Sequence, residues 1–122
     1  MQPLHRVLCI VWWTSIAGVV AGSLLPVDTG NQLVPNADKI EHLLGYTWLA
    51  VLPWGVFPTV RQACRASLAM FVLGAALELA QAFVPGRYAS VADIIANGTG
   101  VMLGLGLGWY AVRRGWRYAR AA

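Results

Sequence analysis

The chain has 122 residues, of which 58% are hydrophobic and only 11% charged, with a mean hydropathy of +0.60. A soluble domain carries about 25% charged residues, so this chain has too few charges to coat a water-facing globule, and its long apolar runs point to lipid as the solvent. The net charge of +4 sits mostly in short segments between and after those runs, a pattern of membrane orientation rather than of nucleic-acid binding.

The apolar run after Arg6 predicts a first helix over residues 4–25, which at about 1.5 Å per residue crosses a hydrocarbon core of roughly 30 Å. Val7 to Leu25 is longer than the about 7–15 residues of a signal core, which favours a retained helix over a cleaved leader. Pro26 ends it. The next segment carries Asp28, Gly30, Asn31, Pro35 and Asn36, turn-forming residues that read as a loop over 26–37. A second helix is expected over 38–57, with a kink at Pro53, where the missing N–H leaves a carbonyl for neighbouring helices to satisfy. Arg61 and Arg65 lie in a connecting segment before a third helix over 66–84. The turn Pro85-Gly86-Arg87 leads to a fourth helix over 91–112, and Arg113, Arg114, Arg117 and Arg120 follow. The expected fold is all-α, a single domain over 1–122 built as a four-helix transmembrane bundle.

Arg6, Arg61, Arg65 and the four tail arginines fall on one side of such a bundle, leaving only Lys39 and Arg87 of the nine cations on the other. Cytoplasmic segments are enriched in Lys and Arg, so both termini are predicted in the cytoplasm and the loops 26–37 and 85–90 outside. Trp54, Trp109 and Trp116 suit an interfacial belt, whereas Trp48 is expected inside the bundle. Cys9 and Cys64 offer neither a disulfide framework nor a CxxC metal motif.

All five acids, Asp28, Asp38, Glu41, Glu78 and Asp93, lie away from the arginine-rich side. Asp38 and His42 share a face of the second helix, Glu78 and Gln81 a face of the third, and Ser90, Asp93 and Asn97 a face of the fourth. Counting inward from the helix ends at about 1.5 Å per residue puts His42, Glu78 and Asn97 about 6, 9 and 10 Å deep, in one layer. Ionisable groups at that depth cost at least a few kcal/mol unless they face the interior, pair, or line a wet cavity.

Structural readings stand beside functional ones. Asp38 with Glu41, and Ser90 with Asp93, have the spacing of an N-cap and its N3 partner. His42 can be a bundle histidine bonded to a carboxylate, and Glu78 can pair with Arg87 or His42. Gly100, Gly104 and Gly108, spaced by four, mark a face for close backbone approach, either to another helix of the same chain or across a homodimer.

Taken together, Asp38-Lys39-Ile40-Glu41-His42-Leu43-Leu44-Gly45-Tyr46, Glu78-Leu79-Ala80-Gln81, Pro85-Gly86-Arg87, Ser90, Asp93, Asn97, Gly100 and the Ser23-Leu24-Leu25-Pro26 helix end resemble the VanZ-like membrane family over most of the chain. The resemblance implies a small polytopic bacterial membrane protein, and the family's namesake is linked to resistance towards the glycopeptide teicoplanin. It implies no settled reaction.

Two functions compete. In the first, an envelope enzyme acts on a lipid-linked or phosphate-bearing substrate at the outer leaflet. His42 is then general base or nucleophile, Asp93 or Glu78 orients it or donates a proton, and Asp38, Lys39, Gln81, Arg87, Ser90 and Asn97 bind substrate. The outward N-termini of the second and fourth helices would favour an anion. In the second, a non-catalytic module uses the polar layer to fix helix register and its outer surface to bind a lipid, an antibiotic or a protein. Ion translocation would require polar residues through the inner half, where the fourth helix offers only Thr99. No cofactor motif occurs, and a metal site from His42, Glu78 and Asp93 lacks a ligand-spacing motif. A pocket joining His42, Glu78, Arg87 and Asp93 favours the first function, and a sealed, fully paired cluster the second.

Overall fold

The structure is a computed structural model and describes residues 3–26 and 36–116. Asp28, Gly30, Asn31, Pro35, Arg117 and Arg120 lie outside the described residues. The described chain is all-helical: α1 (Pro3–Leu24), α2 (Ala37–Val51), the single turn α3 (Pro53–Val56), α4 (Val60–Gln81) and α5 (Val91–Arg113). α1, α4 and α5 are each long and apolar enough to cross a membrane. α2 has only 15 residues, because Pro53 interrupts the second predicted helix.

The repair of that interruption is visible in the packing. A proline at position 53 cannot donate to the carbonyl of Leu49, four residues earlier. The Trp12 indole N–H reaches across from α1 and donates to that oxygen at 3.1 Å. The Ser67 hydroxyl of α4 donates to the next carbonyl, Ala50 O, at 2.6 Å. Leu52 keeps helical dihedrals between α2 and α3, so the chain continues with its hydrogen bonds passed to its neighbours. Trp12, Tyr46, Leu49, Ala50, Leu52, Val56, Met70 and Val101 form the core around this point.

The tightest contact is between α2 and α5, and the spaced glycines produce it. A Cβ on Gly100 would lie 2.5 Å from Leu43 O, and one on Gly104 2.8 Å from Thr47 O. Gly108 leaves room for the Trp54 ring. The glycine face is therefore filled by α2 and α3 within the chain, and a homodimer through Gly100, Gly104 and Gly108 would have to displace them.

Four local expectations are corrected. The third helix begins at Val60, not 66, because Thr59 caps it: its hydroxyl accepts Gln62 N–H at 3.2 Å. Arg61 and Arg65 thus belong to the first turns of α4. Trp48 is half exposed, donating to Ser15 Oγ at 3.1 Å, while Trp54, expected at an interface, is buried. Trp54 packs into the slot that Gly108 leaves. The N-cap of α2 is Asn36, with φ 60° and no side-chain cap bond, so Asp38 stands inside the first turn.

Candidate functional site

The polar residues gather where α2 and α5 begin and α4 ends. Ser90 caps α5, its hydroxyl accepting Asp93 N–H at 3.3 Å. In a reciprocal capping box the N3 carboxylate would take the Ser90 N–H. Glu78 of α4 takes it instead, through Oε1 at 2.8 Å. Asp93 is thereby released to face α2, where its Oδ1 lies 3.7 Å from Lys39 Nζ and its Oδ2 4.0 Å from His42 Nε2. Lys39 also meets Asp38 at 3.4 Å.

His42 is held from below. Its Nδ1 lies 2.8 Å from Asn97 Oδ1, and since an amide oxygen only accepts, Nδ1–H is the donor and Nε2 faces Asp93 and the cavity. The hydrogen-bond partner is a neutral amide, while the Asp93 carboxylate faces the other imidazole nitrogen. Tyr46, one turn along α2, stacks on the imidazole with ring centroids 6.4 Å apart. Gly74 of α4 leaves the space into which Tyr46 and Asn97 pack: a Cβ there would lie 2.7 Å from the tyrosine ring and 2.9 Å from Asn97 Nδ2.

The site opens through a cavity of about 350 Å³ lined by Asp38, Lys39, His42, Gln81, Arg87, Ser90 and Asp93, together with Asn36, Gly86 and Tyr88. Glu78 and Asn97, each 1% exposed, stand behind this lining. The predicted layer thus converges, yet only part of it reaches the cavity. Arg87 donates from Nε to Leu25 O at 2.8 Å and from Nη2 to Gly22 O at 2.7 Å, and Gln81 donates to Ser23 O at 3.2 Å. The expected Glu78–Arg87 pair does not form; the guanidinium instead caps the C-terminal carbonyls of α1, where a cation is favoured by the helix dipole.

Donor atoms of His42, Glu78 and Asp93 lie within 4.8 Å of one another, close enough to hold a cation, although Lys39 already supplies a positive charge against Asp93. Asp93 Oδ1 and Asn97 Nδ2 are buried with no hydrogen-bond partner among the described residues, so the cluster is not fully paired. Sequence reasoning named Tyr46 only within the family motif and gave it no role, although its i+4 spacing from His42 places it on the same face, and it missed Gly74, which carries no signal apart from the contact itself.

No curated protein and no solved structure matches the chain. A family model described as VanZ/LLP1 matches residues 7–113, and with three helices of membrane-crossing length and apolarity, the chain is a membrane protein that belongs to the VanZ/LLP1 family.

Proposed function

We propose that this protein crosses the bacterial inner membrane four times, α2 and α3 together forming the second span, with both termini in the cytoplasm and the polar cavity at the extracytoplasmic face. There it binds or acts on a lipid-linked or phosphate-bearing envelope component. The observation that carries this reading is that His42, Asp93 and Lys39 meet on an open cavity, with His42 Nε2 turned towards it.

In this reading the N-termini of α2 and α5 and the Lys39 ammonium attract a phosphate. His42 Nε2 accepts a proton, and the adjacent Asp93 carboxylate stabilises the imidazolium that results. Glu78 and Asn97 are positioning residues, one fixing the start of α5 and the other the imidazole tautomer. A contribution to glycopeptide tolerance belongs to the same proposal, because such a phenotype arises in the envelope.

The second reading, a non-catalytic module, draws support from Arg87 and Gln81, whose donors clamp α1. Complementation of a deletion strain separates the two. His42→Ala and Glu78→Ala, which removes the acceptor of Ser90 N–H, are expected to insert at wild-type levels and to fail to restore the envelope lipid profile read by mass spectrometry. A wild-type profile from both variants would remove the catalytic reading. Failure of both to accumulate in the membrane would favour the module. Reporter fusions after Arg61 and Arg114 test orientation, and an extracytoplasmic signal from either would overturn it.

A further inference from the structure

A second opening leads sideways from the polar cavity, between α1 and α2. Its volume is about 260 Å³. Val19, Gly22, Gly45 and Tyr46 line it, and it shares His42, Gln81 and Arg87 with the polar cavity. On α1, Ser15, Val19 and Gly22 recur at i, i+4 and i+7; on α2, Glu41, Gly45 and Trp48 do the same, so each helix turns one stripe to the gap.

Hydrogen bonds bound this gap at both ends. Away from the polar cavity, Trp48 donates to Ser15 Oγ and Trp12 to Leu49 O, both at 3.1 Å. Beside it, Arg87 and Gln81 grip the carbonyls of Gly22, Ser23 and Leu25. In between, the helices stay apart. A Cβ on Gly22 or Gly45 would meet no atom within 4 Å. At Gly100 and Gly104 the absent side chain admits a neighbouring helix; at Gly22 and Gly45 it leaves space.

We infer that this gap is a lateral entrance holding the hydrocarbon chain of a phosphate-bearing lipid whose head occupies the polar cavity. The inference rests on the phosphate reading of that cavity. A head group at His42 and Lys39 is tethered to a chain that is costly to place in water, and the gap between α1 and α2 shares His42 with the polar cavity and is lined beyond it by Val19, Gly22, Gly45 and Tyr46. Glu41, exposed and also lining the gap, adds a charged group to it.

The test uses two probes on the purified full-length chain in detergent: dioleoyl phosphatidic acid, and glycerol 3-phosphate, which carries the same phosphate without chains. Gly22→Leu with Gly45→Leu fills the gap, and Val19→Phe narrows it from α1 alone. Gly18→Leu is the control, since its Cβ also meets nothing but lies outside the gap. Each leucine enters open space and replaces a poor helix former, so helicity and melting temperature hold. The double variant is expected to bind phosphatidic acid about tenfold more weakly or worse, as forced overpacking does, with Val19→Phe following it. Glycerol 3-phosphate binding stays at the wild-type level, and Gly18→Leu matches wild type for both probes. Unchanged phosphatidic acid binding in the double variant, or an equal loss in Gly18→Leu, overturns the entrance while leaving the phosphate reading intact. Equal wild-type affinity for the two probes identifies a soluble phosphate and overturns it as well. If neither probe binds wild type, the phosphate reading falls and takes the entrance with it.

Discussion

Trp12→Phe isolates the hydrogen bond that compensates for Pro53. Leu49 is fully buried, and its carbonyl takes the indole N–H at 3.1 Å because residue 53 has none to give. Leaving a buried acceptor unsatisfied costs about 1–3 kcal/mol in water-soluble proteins, while hydrogen bonds inside membrane bundles average about 0.6 kcal/mol. A value near 1 kcal/mol is expected for the bond, on top of whatever the smaller ring loses in packing. Pro53→Ala separates the two contributions, since alanine restores an N–H at position 53 that can reach Leu49 O along the helix. Trp12→Phe should therefore cost about 1 kcal/mol less in the Pro53→Ala background than in wild type. Unfolding of the four proteins by SDS in mixed micelles, followed by helicity, measures the cycle. An equal cost of Trp12→Phe in both backgrounds would refute the assignment.

Gly104→Val should destabilise by about 1–3 kcal/mol or more, because its Cβ would lie 2.6 Å from Ala50 Cβ and 2.8 Å from Thr47 O; wild-type stability in the same SDS titration would contradict the α2–α5 contact. Ser90→Ala removes the α5 cap and should cost about 1 kcal/mol, read the same way. Asn97→Leu should shift the His42 tautomer, since nothing would then hold the proton on Nδ1, and nitrogen chemical shifts of the imidazole report it; unchanged shifts would mean that Asn97 does not set the tautomer. Arg87→Gln frees two carbonyls of α1, so hydrogen exchange should quicken across 22–25, and an unaltered rate would show that the clamp carries no energy.

The helix inventory could be read from apolar runs because hydrocarbon tolerates little else, and α1 and α5 fall within a residue or so of expectation. The start of α4 escaped, since Thr59 is a capping residue in a segment whose arginines read as a loop. The meeting of His42, Glu78 and Asn97 was readable from depth counting alone, because polar groups on three apolar helices have few places to go. Their division of labour was not. Arg87 and Gln81 have the chemistry of phosphate ligands, yet they bond main-chain oxygens, and every residue supplies one, so no side-chain pattern announces such a partner. The exchange of Trp48 and Trp54 between surface and core has a similar origin: the slot at Gly108 takes one indole and the Ser15 hydroxyl the other, and composition announces neither partner.

The clamp on the end of α1 bears on how this chain can vary. Arg87 and Gln81 recognise peptide oxygens at a given height, so the side chains of Gly22, Ser23 and Leu25 are not what they read. Apart from Gly22, which the gap keeps small, neutral drift there should be broad in chemistry but narrow in length: swapping residue types keeps the grip, whereas inserting or deleting a single position rotates every oxygen by about 100° and lets go of the helix.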